Sequence, residues 1–373
     1  MIYLDYAATT PVDKEILHTY QSLLEKYFAN SDSLHDLGTE VRDLLVQARD
    51  NIAKQLNVRS DEVIFTSGAS EANNAAIKGI AFQKENRNKH FIASEIEHSS
   101  VRTTFLQLQE LGYRVDFAKV DENGVVLLEE LKKLIQKDTI LVSIMQVNNE
   151  VGSIQPINEI KEYVKKHTNA YFHVDMVQAL GKIPIDCKDI DLISFSAHKV
   201  FGLKGSGLLI KKAHVKLLPL ISGGKQEFGL RGGTSNALVN VLFAKTLRLA
   251  LEQQAVNYQY VTLLRNDVVE KLNRLDKVVV NSTLQGSPFI INFSCLTLSS
   301  EVALNALNSR GFAVAARSTC STLGDEDAFV LKAMHKDEKV MAGTIRLSLS
   351  KNTKKEELTS FVQNLKEIIE IYG

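Results

Sequence analysis

Three stretches of the 373-residue sequence place polar side chains directly after an apolar run. Residues 65–74 read FTSGASEANN, residues 172–178 read FHVDMVQ, and residues 194–207 read SFSAHKVFGLKGSG. Each apolar run predicts a buried β-strand. Because ligands of open α/β sheets bind outside the carboxyl ends of the strands, these stretches are the first candidates for a binding or catalytic site.

The first stretch predicts a strand that ends in Ser-Gly-Ala-Ser and a helix that begins directly after Ser70. Free backbone N–H groups and the positive end of the helix dipole favour a phosphate at such a position. A plain strand–helix turn with Ser70 as the N-cap is the alternative. The chain contains no G-x-x-x-x-G-K-[ST] and no G-x-G-x-x-G after a strand, so ATPase and nicotinamide-dependent classes lose their main support.

The second and third stretches supply a carboxylate and an amine. Asp175 ends one predicted strand, and Gln178 follows three residues later. The next predicted strand ends beside Lys199, which precedes a run of glycines. A lysine in this position is suited to form a Schiff base with an aldehyde. A loop-capping aspartate and a surface lysine near a glycine turn are the alternative interpretations.

Taken together, the three stretches match the requirements of one cofactor. A helix N-terminus suits a phosphate, a carboxylate keeps a pyridine nitrogen protonated, and a lysine condenses with an aldehyde. Pyridoxal phosphate carries all three groups. The 3 cysteines lie far apart without a C-x-x-C pair, so the sequence favours neither a zinc site nor a disulfide framework, and we expect no bound metal.

The order of the predicted elements indicates an α/β fold with a largely parallel sheet. A long helical segment, 236–275 with a break at 255–257, leads to a smaller α+β unit whose last helix has a capping box of Thr353 and Glu356. We expect a large domain of residues 13–250 and a small domain of residues 1–12 and 251–373. The strands predicted for the sheet are 62–67, 90–94, 114–118, 140–146, 171–174, 192–196 and 207–210, and the helices between them are 71–83, 99–111, 127–136 and 157–167.

Composition narrows the class of protein. Lys and Arg number 44 and Asp and Glu number 44, whereas nucleic-acid binders usually have a basic excess. No apolar run approaches the ~18 residues of a membrane span. The first residues have neither the basic nor the apolar region of a signal peptide. We therefore expect a cytoplasmic protein with no membrane partner and no direct nucleic-acid partner.

The three stretches, with six more in a fixed order, resemble the cysteine desulfurases of the NifS/IscS type, which belong to the class V, fold-type I pyridoxal-phosphate enzymes. The resemblance covers nearly the whole chain. It implies a fold-type I transferase with a mainly parallel seven-stranded sheet in the large domain. The additional motifs are YLDYAATTP at 3–11, EIEHSSV at 95–101, QVNNEVGSIQP at 146–156, GGKQEFGLRGGTSN at 223–236, STCST at 318–322 and IRLSLS at 345–350.

The resemblance also implies a role for each matching residue. Lys199 would bind the cofactor covalently and later move protons, and His98 would stack on the ring and serve as acid or base. Asp175 would pair with the pyridine nitrogen, and Gln178 would face the phenolic oxygen. Cys320, in a polar loop of the small domain, would be the sulfur nucleophile.

The remaining roles concern the phosphate and the substrate. The resemblance implies that Arg346 and Asn149 bind the substrate carboxylate and that Asn149 also contacts the cofactor. The residues expected to hold the phosphate are Ala69, Ser70, Ser196, His198 and, in the neighbouring subunit's site, Thr234.

The implied reaction converts L-cysteine to L-alanine and leaves a persulfide on Cys320. A homodimer and a sulfur-acceptor protein are the implied partners, with sulfur supplied for iron–sulfur clusters, thiamine or tRNA thiolation. The residues up to Cys320 read ARSTC, whereas the long-loop branch of the family usually reads SGSAC, so Arg317 replaces a glycine. Another class V enzyme, such as a selenocysteine lyase or an aminotransferase, and a non-catalytic sulfur-relay scaffold are the alternatives.

Overall fold

The computed structural model describes residues 1–316 and 328–373. No helix among these residues is long and apolar enough to cross a membrane. The strands are β1 (Ile2–Tyr3), β2 (Val63–Thr66), β3 (His90–Ser94), β4 (Arg114–Ala118), β5 (Thr139–Ser143), β6 (Tyr171–Asp175), β7 (Leu192–Ser196), β8 (Gly207–Lys211), β9 (Val278–Val280), β10 (Ile290–Cys295), β11 (Phe312–Ala313) and β12 (Thr344–Ser348). The helices are α1 (Lys14–Lys26), α2 (Asp36–Leu56), α3 (Ala69–Ala81), α4 (Ser99–Glu110), α5 (Leu128–Leu134), α6 (Ile157–His167), α7 (Ala237–Leu272), α8 (Ser300–Ser309), α9 (Phe329–Ala333), α10 (Glu338–Ala342) and α11 (Lys355–Tyr372).

Seven strands form the main sheet, in the order β2-β8-β7-β6-β5-β3-β4. Strand β8 runs antiparallel to both of its neighbours, and the other strand pairs are parallel. The prediction of a mainly parallel seven-stranded sheet is confirmed. Because β5, β6 and β7 run the same way, the loops that follow them leave at one edge of the sheet.

Both faces of this sheet are covered, which explains why its strands read as almost continuous apolar runs. Along β2, Ile64 packs with α3 and α4 on one face, while Val63 and Phe65 pack with α2, α6 and α7 on the other. Strands β2 and β3 run in the same direction as β5, β6 and β7. Helices α3 and α4, which follow β2 and β3, therefore begin at the same edge as the loops that carry the polar residues.

A second sheet and a second hydrophobic core occupy most of the remainder of the chain, although Val330 and Leu331 of α9 pack in the core of the main sheet. Strands β12, β10 and β9 pair antiparallel, and Leu4 joins their core together with α8, α11 and the second half of α7. The first half of α7 packs instead against the main sheet. We propose the division into residues 13–250 and residues 1–12 with 251–373, and the separate cores support it.

Three local predictions are wrong. Helix α7 is continuous through 255–257, since residues 237–272 contain neither glycine nor proline to interrupt it. The capping interaction of α11 is one residue later than predicted, because Lys354 N donates to Glu357 Oε2 at 2.8 Å and Thr353 Oγ1 accepts from Ser350 N. The N-cap of α3 is Gly68 rather than Ser70. Helices α1 and α2 and strands β1 and β9 were not predicted.

Gly207 lets β8 approach the turn before α3. A Cβ on Gly207 would lie 2.5 Å from Gly68 Cα and C, and 2.8 Å from Thr66 Oγ1. Two of these three atoms are backbone, so relief of the clash would move the start of α3 itself. The absence of a side chain at Gly207 thus fixes the position of the α3 N-terminus against the sheet.

Gly207→Ala should lower the free energy of unfolding by about 1–3 kcal/mol, the usual cost of overpacking, measured by urea unfolding. The matched control is Gly112→Ala, where φ is +88° and a Cβ would meet nothing within 4 Å. Gly112→Ala should lower the free energy of unfolding only by the cost of placing an alanine in a left-handed backbone conformation, about 1 kcal/mol. A loss at Gly207 smaller than the loss at Gly112 would contradict the close approach.

Candidate active site

A cavity of about 430 Å³ lies at the edge of the main sheet where β6 and β7 end. The structure brings most of the predicted site residues to its wall. They are Ala69, Ser70, His98, Asn149, Asp175, Gln178, Ser196, His198, Lys199 and Arg346. Two predicted residues are not among them: Thr234 is exposed outside this cavity, and Cys320 lies outside the described residues.

Asp175 is the carboxylate of the cavity. It is the last residue of β6 and is buried. Its Oδ2 accepts a hydrogen bond from Asn73 Nδ2 at 2.8 Å, and its Oδ1 accepts from Val177 N at 3.0 Å. Both oxygens are therefore held in a fixed orientation at the strand end.

Lys199 lies in a short 3₁₀ turn, Ala197–Lys199, that directly follows β7. Its Nζ donates hydrogen bonds to Ala7 O and Ala8 O, each at 2.7 Å. The same N-terminal segment is tied to the turn by Thr10, whose backbone N donates to His198 O at 2.9 Å. The amine is thus oriented by backbone carbonyls nearly 200 residues earlier in the chain.

His98 is the N-cap of α4, and its Nδ1 accepts a hydrogen bond from Ser100 N at 3.1 Å. Burial lowers the pKa of His98 below its usual value, and the positive charges of Lys199 and Arg346 lower it further, while Asp175 opposes them. An uncharged imidazole at neutral pH follows from this balance, with Nδ1 as the nitrogen that accepts the hydrogen bond from Ser100.

One end of the cavity is suited to an anion. Helix α3 begins there after Gly68, which has no side chain to cap the helix, and Lys204 lies in the same wall. Burial, with the nearby charges of Lys199 and Lys204, lowers the pKa of His198 to about 4. His198 is therefore neutral, and the helix N-terminus and Lys204 provide the positive potential for a phosphate.

Arg346 brings a guanidinium from β12 of the second sheet into this wall. Its side chain is almost completely buried, with Nη1 donating to Asn149 O at 2.9 Å and Nη2 donating to Asp5 Oδ1 at 2.8 Å. Among the described residues, its Nε has no hydrogen-bond partner. A buried guanidinium with an unused donor fits a carboxylate ligand.

Gln178 is held by a second lysine that the sequence analysis missed. Its Oε1 accepts from Lys182 Nζ at 2.5 Å, and its Nε2 donates to Ala7 O at 3.0 Å. Burial lowers the pKa of Lys182 to about 7, and the charges of Lys199 and Arg346 act in the same direction. Lys182 therefore fixes which end of the Gln178 amide faces Ala7.

Other residues of the site were also missed, although the quoted motifs contain them. Asn73, Ser100 and Glu97 are each within four residues of a predicted site residue. A polar amide in the interior of a short helix, as at Asn73, is a usable signal, because asparagine is unfavourable there without a specific partner. Asp5 gave no such signal, since its partner Arg346 is 341 residues away.

Glu97 is a fully buried carboxyl group beside the cavity. Its Oε1 accepts from Ser94 Oγ at 2.5 Å and from Met145 N at 2.8 Å. Burial raises the pKa of Glu97 to about 8, and the negative charge of Asp175 contributes to the rise. The group is therefore mainly protonated at neutral pH, so Asp175 does not face a second full negative charge.

The raised pKa of Glu97 predicts a pH-dependent stability. Between the ordinary glutamate pKa of 4.5 and the folded value of about 8, the folded chain keeps a proton that the unfolded chain has released. The free energy of unfolding should therefore fall as pH rises through this window, by up to about 1.4 kcal/mol per pH unit from this group. Glu97→Gln should remove this contribution, as measured by urea unfolding at several pH values.

The exposed Glu122 provides the control, because Glu122→Gln removes a carboxyl group outside the core. Its pH dependence should follow that of the unmodified protein. If Glu97→Gln and Glu122→Gln gave the same pH dependence, Glu97 would be ionised in the folded chain.

Comparisons with known proteins agree with this site. The family model described as "Aminotransferase class-V" matches residues 2–361. The "Cysteine desulfurase IscS" of Dictyoglomus turgidum is 39% identical over 373 residues, covering 99% of this chain and 94% of that protein. The protein of the same name from Buchnera aphidicola subsp. Acyrthosiphon pisum is 40% identical over 365 residues, covering 96% and 90%.

Solved structures of related proteins are also similar to this chain in both fold and sequence. A structure titled "NIFS-LIKE PROTEIN" superposes with a TM-score of 0.94 at 37% identity, covering 99% of both chains. Another, titled "SspA in complex with cysteine", has a TM-score of 0.82 at 32% identity and covers 94% of this chain and 99% of that one.

The chain belongs to the class-V aminotransferase family and, within it, to the group of the cysteine desulfurases and NifS-like proteins. This family depends on pyridoxal phosphate, so the resemblance and the cofactor predicted from the motifs are confirmed. The cavity fits the cofactor chemically, because it offers a helix N-terminus for a phosphate, the Asp175 carboxylate for a pyridine nitrogen and the Lys199 amine for an aldehyde.

Proposed function

We propose that this protein is a pyridoxal-phosphate-dependent cysteine desulfurase, which converts L-cysteine to L-alanine and a persulfide on Cys320. The observation that carries the proposal is that Lys199, Asp175, His98 and Arg346 line one cavity in a chain of this family. These residues provide an amine, a carboxylate, an uncharged imidazole and a guanidinium, which are the groups that chemistry on an amino acid requires.

The cofactor would be held by residues already oriented for it. Asp175 would pair with the pyridine nitrogen, Gln178 would face the phenolic oxygen, and Lys199 would make the covalent attachment. Bound pyridoxal phosphate supplies an aldehyde that condenses with amino groups and a ring that takes up electrons from the substrate α-carbon. The residues proposed for its phosphate are Ala69, Ser70, Ser196, His198 and Thr234 of the neighbouring subunit.

The chain's own groups bind the substrate and move protons. Arg346 would bind the substrate carboxylate together with Asn149, since a guanidinium matches a carboxylate with two parallel hydrogen bonds. Lys199 Nζ and the His98 imidazole lie in the same wall as Arg346, so Lys199 can take or return a proton at the bound amino acid and His98 can act there as a donor.

The sulfur nucleophile is proposed to be Cys320, and its assignment depends on the sequence alone because it lies outside the described residues. The Cys320 thiolate attacks the substrate sulfur, an S–S bond forms and the substrate C–S bond breaks. The carbon keeps the electron pair and takes a proton, so alanine leaves and no external oxidant is needed. Burial raises the pKa of both Cys187 and Cys295 to about 12, which makes these two thiols poor nucleophiles.

Cys320→Ser should bind the cofactor and cysteine but abolish catalytic release of alanine, because no thiolate remains to accept the sulfur. Cys187→Ser and Cys295→Ser are the matched controls and should keep at least most of the activity. The measurements are alanine release from cysteine and mass-spectrometric mapping of the added sulfur. Sulfur on Cys187 or Cys295 would contradict the nucleophile assignment, and a keto acid in place of alanine would indicate an aminotransferase.

We further propose a homodimer in which Thr234 completes the phosphate site of the neighbouring subunit. Thr234 is exposed, and its neighbours Gly233 and Ser235 line a second cavity of about 240 Å³. Ser67 and Gly205 line both this cavity and the main one, so the second cavity adjoins the anion-binding end of the site. A segment of another subunit seated there would approach the phosphate.

Two inactive variants should complement one another if Thr234 acts across the interface. In a mixed dimer of Lys199→Ala and Thr234→Val protomers, one site contains both Lys199 and Thr234, and the other contains neither. Random mixing should restore about a quarter of the unmodified activity, since half of the dimers are mixed and each has one complete site. Alanine release after co-refolding measures this, and no recovery would place Thr234 in its own subunit's site.

The persulfide is proposed to pass to a sulfur-acceptor protein in the cytoplasm, in support of iron–sulfur cluster assembly, thiamine synthesis or tRNA thiolation. Equal numbers of acidic and basic residues favour transfer through a protein over direct binding of this chain to tRNA.

A further inference from the structure

Three side chains of the cavity wall, those of Asp175, Ser100 and His98, form one continuous series of hydrogen bonds with the buried Asn73 behind the wall. Asn73 Nδ2 lies 2.8 Å from Asp175 Oδ2 and 2.9 Å from Ser100 Oγ. Ser100 Oγ in turn lies 2.8 Å from His98 Nδ1. This series of hydrogen bonds runs from β6 through α3 to the first turn of α4, and so connects the carboxylate of Asp175 with the imidazole of His98.

The chemistry of the four groups fixes the direction of every bond in this chain. A carboxylate only accepts, so Asn73 presents its NH₂ group to Asp175. The second hydrogen of that group is donated to Ser100 Oγ, whose own hydrogen is then available for His98 Nδ1. Because Ser100 N also donates to Nδ1 at 3.1 Å, Nδ1 acts as an acceptor and the ring hydrogen is on Nε2.

We propose that Asn73 and Ser100 are positioning residues that transmit the orientation of Asp175 to His98 and hold its imidazole as the tautomer protonated on Nε2. The inference builds on the proposed function, in which the neutral His98 imidazole lies beside the bound substrate, and it makes the ring a hydrogen-bond donor to the cavity through Nε2. It adds Asn73 and Ser100, which act through His98 and determine which nitrogen of its ring is available to the cavity.

The burial of Asn73 favours this role over a merely structural one. Asn73 is completely buried, and among the described residues its Oδ1 has no hydrogen-bond partner. An unpartnered buried acceptor destabilises the fold, and its α3 neighbours Ala72 and Ala76 show that apolar residues fill the same core. The two donations from Nδ2 explain why an amide stands here in place of an apolar side chain.

The hydrogen bonds to Nδ1 also disfavour protonation of His98, because a proton there would displace both donors. Other groups face the ring from three further elements: Asp175 from β6 raises the pKa of His98, while Lys199 beyond β7 and Arg346 on β12 lower it, and burial lowers it most. These groups are unchanged when Ser100 is altered, so the contribution of the hydroxyl can be isolated.

The test is nitrogen NMR of ¹⁵N-histidine-labelled full-length protein, recorded with and without pyridoxal phosphate, with the His98 signals assigned from their loss in His98→Gln. We expect an unprotonated Nδ1 and a protonated Nε2 at neutral pH. In Ser100→Ala the titration midpoint of His98 should rise by about 0.5–1 pH unit, the scale of one neutral hydrogen bond. Asn73→Leu should move it in the same direction, because the Ser100 hydroxyl is then free to turn away from Nδ1.

Ser100→Thr keeps the hydroxyl and should keep the unmodified midpoint. Asn74→Leu is the matched control on the same helix, since Asn74 donates to Ser70 O and Ser100 O and does not take part in the chain to Asp175. A proton on Nδ1 in the unmodified protein, or an unchanged midpoint in Ser100→Ala, would overturn the proposal. Neither measurement requires Asn73→Leu to fold.

The acid limb of the pH profile for alanine release should shift with the same variants by the same amount. The NMR result does not depend on turnover, which separates the two proposals. Expected tautomer and shifts without alanine release would refute the desulfurase function and keep the positioning role. Alanine release with an unshifted His98 midpoint in Ser100→Ala would refute the positioning role alone.

Discussion

The buried carboxylate of Asp175 is the charge on which the arrangement of the cavity depends. It accepts hydrogen bonds on both oxygens, and Lys199, Lys182 and Arg346 are close enough to one another for their positive charges to interact. Buried charges are tolerated only when they are paired and hydrogen-bonded. The neutral state of Glu97 serves the same balance, because a second carboxylate beside Asp175 would repel it.

The site is assembled from both hydrophobic cores. Asp175 and Lys199 follow neighbouring strands of the main sheet, whereas Arg346 belongs to the second sheet. The N-terminal segment joins the two, with Leu4 in the second core, Asp5 on Arg346 and the carbonyl of Ala7 on Lys199. The relative position of the Lys199 amine and the Arg346 guanidinium, which the bound substrate would bridge in the proposed function, is thus set by a few residues at the start of the chain.

Local patterns in the sequence predict much of this structure. The polar residues after β6 and β7 were found because parallel strands deliver their ends to one edge of a sheet, and the glycine-flanked Lys199 stood out for the same reason. The strands β3, β4 and β7 and helix α6 have the predicted ends, since apolar periodicity and flanking turns define them. The family and its cofactor followed from motifs spread along the whole chain.

Long-range contacts account for some of the site residues that were missed, and ambiguous local signals account for the misplaced helix boundaries. Asp5 acts through Arg346, a partner 341 residues away, and a sequence pattern carries no information about such a pair. Lys182 lies only four residues from its partner Gln178, but no motif singled it out. The N-cap of α3 was misplaced because Ser70 is a good capping residue, whereas the helix begins after Gly68, against which Gly207 of β8 packs closely. For α7, the break predicted at 255–257 is absent, because residues 237–272 contain neither glycine nor proline and one helix continues through them.

The pairing of β1 with β11 bears on how the protein is made. Residues 2–3 pair with residues 312–313, and Asp5 binds Arg346, so the N-terminal segment finds its partners only after most of the chain has left the ribosome. Since domains generally begin to fold during synthesis, the main sheet can form while residues 1–12 wait. Until β12 is in place, Leu4 and Asp5 lack their partners Ser348 and Arg346, and the N-terminal segment is held only by contacts such as those of Ala7 and Thr10 with the main domain. A nascent or C-terminally shortened chain therefore contains Lys199 without Arg346, and the wall of the cavity is completed last.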